Sequence, residues 1–127
     1  MTIRTPKRIL LADDEPMVLQ TLRMVLSAHG HSVETTCDGK QALKLFEAGH
    51  HDLVITDFKM GNTDGLELAK VIKNRSPSTR VILLTAYADA FKESNAEMPN
   101  IDMVLGKACS VLELQAALEK VFSTAAG

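Results

Sequence analysis

Three short stretches of this chain are almost wholly apolar and finish on a polar or charged residue. Ile9-Leu10-Leu11-Ala12 runs into Asp13-Asp14-Glu15, Leu53-Val54-Ile55-Thr56 ends on Asp57, and Val81-Ile82-Leu83-Leu84 ends on Thr85. Runs of this length without polar alternation fit strands covered on both faces, as in parallel sheets. Parallel strands need crossovers, which are usually helices. The intervening segments have the pattern required.

From Pro16, which suits a first helical turn, Val18, Leu22, Val25 and Leu26 fall at helical spacing, and Gly30 after His29 marks a stop. Ser32 to Cys37 alternates weakly and reads as a more exposed strand at a sheet edge. Asp38 is placed to cap a second helix with Ala42, Leu45 and Phe46 on its buried stripe, closed by Gly49-His50-His51. After the 53–57 strand, a loop with Asn62 and Asp64-Gly65 leads to a helix carrying Leu68, Ala69 and Ile72 on one face, stopped at Ser76-Pro77. A fourth helix from Ala88 to Ala96 is expected to be short or irregular, because Pro99 follows closely. Met103 to Lys107 reads as a brief fifth strand. Ser110 and Glu113 form a capping box for a last helix whose stripe is Val111, Leu114, Leu118, Val121 and Phe122. Five strands alternating with five helical patterns predict an α/β fold with a doubly wound parallel sheet. Pattern alone leaves dinucleotide-type and flavodoxin-like strand orders both open.

A chain of 127 residues is expected to form one domain, with a core over about residues 7–122 and a frayed tail at 123–127. The formal net charge is −2 with both signs interspersed, which gives no footprint for nucleic acid and no polybasic membrane segment. No apolar run approaches the ~18 residues of a membrane span, and residues 1–8 lack a signal-peptide core. Cys37 and Cys109 are far apart without metal-ligand spacing, so free thiols in a reducing, cytoplasmic setting are expected.

In a sheet of this kind, the ends of strands one, three, four and five open on one edge, bringing Asp13, Asp14, Asp57, Thr85 and Lys107 to one crevice. Crowded carboxylates repel, and a hard divalent cation relieves them; Mg²⁺ is the expected ion, with Mn²⁺ as a second choice. Three carboxylates, one lysine and one such ion roughly cancel, so an incoming phosphoryl group is tolerated. A flavin phosphate held without metal would be repelled by Asp13-Asp14-Glu15.

The acidic pair Asp13-Asp14, Asp57 ending its strand, Asp64-Gly65 beyond it, Thr85 before Ala86, and Lys107 together resemble the receiver domain of two-component response regulators over nearly the whole chain. The resemblance implies a flavodoxin-like strand order 2-1-3-4-5 and a phosphorylation-switched signalling module rather than a turnover enzyme. It implies Asp57 as the nucleophile that takes a phosphoryl group from a histidine kinase or histidine phosphotransfer protein. Asp14 would bind Mg²⁺ directly and Asp13 mostly through water, with Asp57 and the Lys59 backbone carbonyl as further ligands. Lys107 would pair with Asp57 or its phosphoryl oxygen, and Thr85 would turn inward to bond it. Lys59 and Tyr87, each two residues beyond a site residue, would rim the crevice and modulate the lifetime of the aspartyl phosphate. Output would pass to an unidentified partner or a further domain, with homodimerisation as one option.

The chain departs from the family at Ala108, where a cis proline is usual, so that a trans bond is expected. Val104 stands where an aromatic residue is common, Gly61 stands where a proline is common, and Pro99 interrupts the fourth helix. The missing aromatic and proline argue, as an alternative, for a receiver-like scaffold that is not phosphorylated, while the intact acidic trio with Thr85 and Lys107 argues against it. A Mg²⁺-dependent aspartyl-phosphate phosphohydrolase is a weaker one, since Asp13 and Glu15 fit that pattern poorly and no cap domain is evident. His29, His31, His50 and His51 are read as surface histidines away from the crevice. Phe46, Phe122 and the first-helix methionines are assigned to core or interface, while Phe58 and Phe91 are candidate partner contacts if exposed.

Overall fold

The structure is a computed structural model that describes residues 5–61, 63–94, 98–107 and 109–123. Its elements in chain order are β1 (Arg8–Ala12), α1 (Pro16–Ala28), β2 (Ser32–Thr36), α2 (Gly39–Gly49), β3 (Leu53–Asp57), β4 (Lys59–Met60), β5 (Thr63–Asp64), α3 (Gly65–Arg75), β6 (Arg80–Thr85), α4 (Ala88–Ser94), β7 (Met103–Gly106) and α5 (Val111–Ser123). Five of the strands form one sheet in the order β2-β1-β3-β6-β7, all paired in parallel. This is the flavodoxin-like order, and the α/β reading of a parallel sheet flanked by helices holds.

Alternation along the strands explains why both faces need helices. On one face Ile9, Leu11, Ile55 and Ile82 pack against Leu22 and Leu26 of α1 and Leu114 and Leu118 of α5. Leu10, Ala12, Val54 and Val81 point the other way, onto Ala42 and Phe46 of α2 and Leu68 and Ile72 of α3. Every residue of β3 is buried, which puts Asp57 at the end of the most enclosed strand.

The helix signals work locally as the side chains dictate. Asp38 accepts from the Lys40 N–H at 3.0 Å, Asp64 accepts from the Leu66 N–H at 2.8 Å, and Ser110 with Glu113 makes the reciprocal bonds of a capping box. His50 takes a left-handed conformation (φ 49°) to close α2, and Gly30 (φ 92°) follows the end of α1.

Some expectations need correction. The loop after Asp57 is partly ordered as a two-residue antiparallel pair, β4 with β5, too short to leave a periodic signal. Val111 lies on the outside of α5 with 47% exposure, while Ala117 takes a buried place in that stripe. Met17 and Met24 on α1 are exposed, which removes the core half of the core-or-interface expectation. His31 and His51 are buried, not surface residues. His31 Nδ1 accepts from the Lys7 N–H, and His51 pairs with Glu34 at 2.6 Å while stacking on Phe46. Each of the two is anchored by a polar partner across the sheet that its sequence neighbourhood does not reveal. The expectations for Asn62, for the helical continuation over 95–97, for the Lys107-Ala108 bond and for residues 124–127 fall outside the described residues.

Asp102, just before β7, ties three elements together. Its Oδ2 accepts from the Val81 N–H at 2.7 Å and from Lys73 Nζ of α3 at 2.8 Å. Asp102→Ala leaves a part-buried N–H and a largely enclosed ammonium without that partner, and should lower stability by about 1–3 kcal/mol. Urea unfolding monitored by circular dichroism checks this, with an unchanged m-value expected.

Candidate functional site

The sheet register assembles the site. Ala12 pairs with Thr56, Asp57 with Leu84, and Thr85 with Gly106. The residues that follow or end these strands, Asp13, Asp57, Thr85 and Lys107, therefore emerge side by side. The chain reverses its direction of travel across the sheet between β1 and β3, where ligands of open α/β sheets bind. Lys107 is fixed by its own N–H, which donates to the Thr85 carbonyl at 2.9 Å.

Asp57 is 7% exposed, and its two oxygens are held differently. Oδ1 accepts from the Phe58 N–H at 2.8 Å, while Oδ2 faces Lys107 Nζ at 3.2 Å. Burial, and then the charge of Asp13, push its pKa from 3.8 up to about 6, against the opposing pull of Lys107 and the Phe58 N–H. Asp13 is buried and its pKa is also raised, chiefly by burial, with Glu15 adding and the Glu15 N–H and Lys107 opposing. For Lys107, burial alone would lower the pKa, but bonds to Glu15, Asp13 and Asp57 outweigh it and hold the ammonium well above the ordinary lysine value. The lysine is thus charged throughout the physiological range.

Asp13, Asp14, Glu15 and Asp57 each bring a carboxylate oxygen within 4.8 Å of the others. Asp13 Oδ1 is occupied by the Glu15 N–H and Lys107, at 2.8 and 3.3 Å. Its Oδ2 is buried, lies 3.2 Å from Lys107 Nζ, and makes no aligned hydrogen bond. One ammonium serves the whole carboxylate cluster and gives this oxygen no aligned donor, so a further cation would lower the cost of enclosing it. An all-oxygen, all-anionic donor set suits a hard divalent cation, so the residues present fit one.

The cleft beside the cluster has a volume of about 470 Å³ and is lined by Asp57, Phe58, Lys59, Thr85, Tyr87 and Lys107 among others. Thr85 is buried, and its hydroxyl oxygen accepts from the Tyr87 N–H at 3.1 Å. Tyr87 is 68% exposed at the rim. Lys59, opening β4, is exposed with its ammonium 5.9 Å from the Phe58 ring centroid. Phe58 and Phe91 are half-buried and meet edge to face at 5.0 Å, so they stiffen the wall rather than stand free as contacts. All seven residues singled out from the sequence thus lie at one sheet edge. His31 and His51 precede β2 and β3, at the opposite ends of the strands.

Three contributors were not legible as such in the sequence. The Phe58 N–H acts through backbone, which carries no residue signal. Gly65 lets α3 approach so closely that a Cβ there would lie 2.1 Å from the Asp57 carbonyl oxygen. Glu15 shares Lys107 with Asp13 and Asp57, although its exposed position in an acidic run marks it only as one more acid.

Comparison with known proteins agrees with this geometry. A family model described as the response regulator receiver domain matches residues 9–119. The response regulator MprA of Mycolicibacterium vanbaalenii is 38% identical over 81 residues, covering 64% of this chain and 35% of that protein. The alginate biosynthesis transcriptional regulatory protein AlgB of Pseudomonas aeruginosa is 33% identical over 113 residues, 89% of this chain and 25% of that protein. The chain therefore spans about a third or less of the length of these curated relatives. The crystal structure of the response regulator TrrA from Thermotoga maritima, in complex with Mg²⁺-BeF, superposes with a TM-score of 0.81 at 36% identity, covering 91% of this chain and 98% of that one.

Proposed function

The chain belongs to the family of response regulator receiver domains, and from that premise we propose that Asp57 is its phosphoacceptor. The observation that carries the reading is the division of labour at the Asp57 carboxylate: backbone fixes one oxygen, and the other faces a permanently charged lysine beside a carboxylate pair. A buried carboxylate with one oriented oxygen is placed for in-line attack on phosphorus. The P–N bond of a phosphohistidine donor breaks as the O–P bond forms, and the departing imidazole nitrogen keeps the electron pair and takes up a proton.

Asp14, Asp57 and the Lys59 carbonyl, with Asp13 mostly through water, are the ligands we assign to Mg²⁺, with Mn²⁺ as a substitute. When bound, the ion neutralises charge on the transferring phosphoryl oxygens. Lys107 binds a phosphoryl oxygen from the other side, and the Thr85 hydroxyl turns to donate its own hydrogen to another. The donor is a histidine kinase or a histidine phosphotransfer protein, and the result is a change in partner binding rather than substrate turnover. We take residues 7–122 as the core of one receiver unit. No helix among the described residues is long and apolar enough to cross a membrane. The free Cys37 and Cys109 suit a cytoplasmic setting.

Intact-mass measurement after incubation with Mg²⁺ and acetyl phosphate tests the reading. A single phosphoryl adduct that survives the incubation supports it, no adduct marks a scaffold, and rapid turnover of varied phosphate esters marks a hydrolase.

Lys59 and Tyr87 line the rim of the cleft, and we assign them to screening an acyl phosphate from attacking water. Removing both, as Lys59→Ala with Tyr87→Ala, should shorten the adduct lifetime by roughly 5-fold, equivalent to about 1 kcal/mol of barrier. The decay of the phosphoryl adduct after donor removal, followed by mass, measures it directly.

A further inference from the structure

Lys107 serves three carboxylates at once, and one of them has no place in the phosphotransfer scheme. Asp13 and Asp57 approach its ammonium from the buried side, with side-chain exposures of 2% and 9%. Glu15 bonds the same nitrogen from the solvent side, with its own side chain 58% exposed. Glu15 is also the N-cap residue of α1, where a side chain would ordinarily turn in to bond the free N–H groups of the first turn. It makes no such bond. Its backbone carbonyl accepts from the Val18 and Leu19 N–H groups, while its carboxylate reaches across to Lys107. The pair borders a cavity of about 310 Å³ lined by Met17, Thr21, Leu84 and Cys109 among others, so the two side chains have room to part.

We propose that Glu15 is a positioning residue that latches Lys107 toward solvent, so that phosphorylation of Asp57 requires the ammonium to leave Glu15 for the phosphoryl group. The latch rests on the phosphoacceptor reading and sets how readily that site loads. In the unphosphorylated state the lysine divides its three donors among three acids. A phosphoryl group on Asp57 adds a stronger acceptor on the buried side, and Glu15 is the partner most easily given up, because water replaces it at its exposed position.

Two variants separate geometry from charge. Glu15→Gln removes the charge. Glu15→Asp keeps it but shortens the reach and restores a residue strongly preferred as an N-cap, which draws the carboxylate back to its own helix. Acylation footprinting of the metal-free protein should show Lys107 reacting roughly 3- to 5-fold faster in both variants, the range for losing one half-exposed ion pair. With Mg²⁺ and acetyl phosphate, the Asp57 adduct should form faster in both by a similar factor. An effect confined to Glu15→Gln reports lost negative charge near an anionic donor and overturns the latch. Unchanged acylation in both variants overturns it too, as does faster acylation without faster adduct formation. Acylation is read without metal or donor, so it judges the latch separately; failure of every variant, wild type included, to form an adduct overturns the phosphoacceptor reading instead.

Discussion

Asp57→Asn is expected to abolish the phosphoryl adduct formed with Mg²⁺ and acetyl phosphate, with no residual signal at any time point in intact-mass spectra. The amide keeps the size and the acceptor oxygen facing the Phe58 N–H, so the fold is retained. It cannot supply an anionic oxygen to phosphorus. An adduct of undiminished yield in Asp57→Asn would place the chemistry on another residue.

The same substitution should stabilise the metal-free protein at neutral pH. Burial and the neighbouring Asp13 raise the folded-state pKa of Asp57 from 3.8 to about 6. Between those values the folded state binds more protons than the unfolded state, so this group's contribution to stability falls as pH rises through that window. Above about pH 6 the full penalty is present, on the order of 2 kcal/mol after allowance for solvent near the cleft. Asparagine carries no such penalty. The difference in melting temperature between Asp57→Asn and wild type should therefore be positive at pH 7.5 and shrink toward zero near pH 4. Added Mg²⁺ should oppose it at pH 7.5, because the ion stabilises the wild-type carboxylate cluster by binding the folded state.

Much of this site is legible in the sequence because a parallel sheet turns sequence order into spatial order. Once Ala12, Asp57, Thr85 and Gly106 are recognised as strand ends, their alignment at one edge follows without any knowledge of side-chain contacts. The capping residues Asp38 and Ser110 were equally readable, since each acts on a helix only two or three residues away. What escaped depends on long-range approach or on backbone. The burial of His51 is created by Glu34 and Phe46, which are distant in sequence or lie on another element. The role of Glu15 depends on Lys107, 92 residues away. The β4–β5 pair is two residues long on each side, shorter than any period that patterning can register.

Gly65 gives the second large effect, and its cause is contact rather than backbone conformation. Positive φ occurs at Gly30 and Gly61 among the described glycines, not at Gly65. A Cβ on Gly65 would instead stand 2.1 Å from the Asp57 carbonyl oxygen, 3.1 Å from its carbonyl carbon and 3.2 Å from the Phe58 oxygen. All three are backbone atoms, so no side chain can swing aside. The Gly65 N–H also donates to the Phe58 carbonyl at 2.6 Å, which ties the first turn of α3 to the strand end that carries Asp57. Gly65→Ala must therefore push α3 away from β3 or drag Asp57 with it. The cost should be about 3 kcal/mol, the upper end for forced overpacking, or a melting temperature lowered by about 10 °C. Gly61→Ala is the control: its φ is 55° but nothing lies within 4 Å of the added atom. That variant should lose only about 1 kcal/mol, through backbone strain alone. Phosphorylation separates the two further. Gly61→Ala should load Asp57 at close to the wild-type rate, whereas Gly65→Ala should load it at least ~10-fold more slowly even at temperatures where it remains folded, because the oxygen aimed at phosphorus is displaced with its strand. Equal stability losses in the two variants would assign both effects to glycine's backbone freedom and remove the close approach as the reason for Gly65.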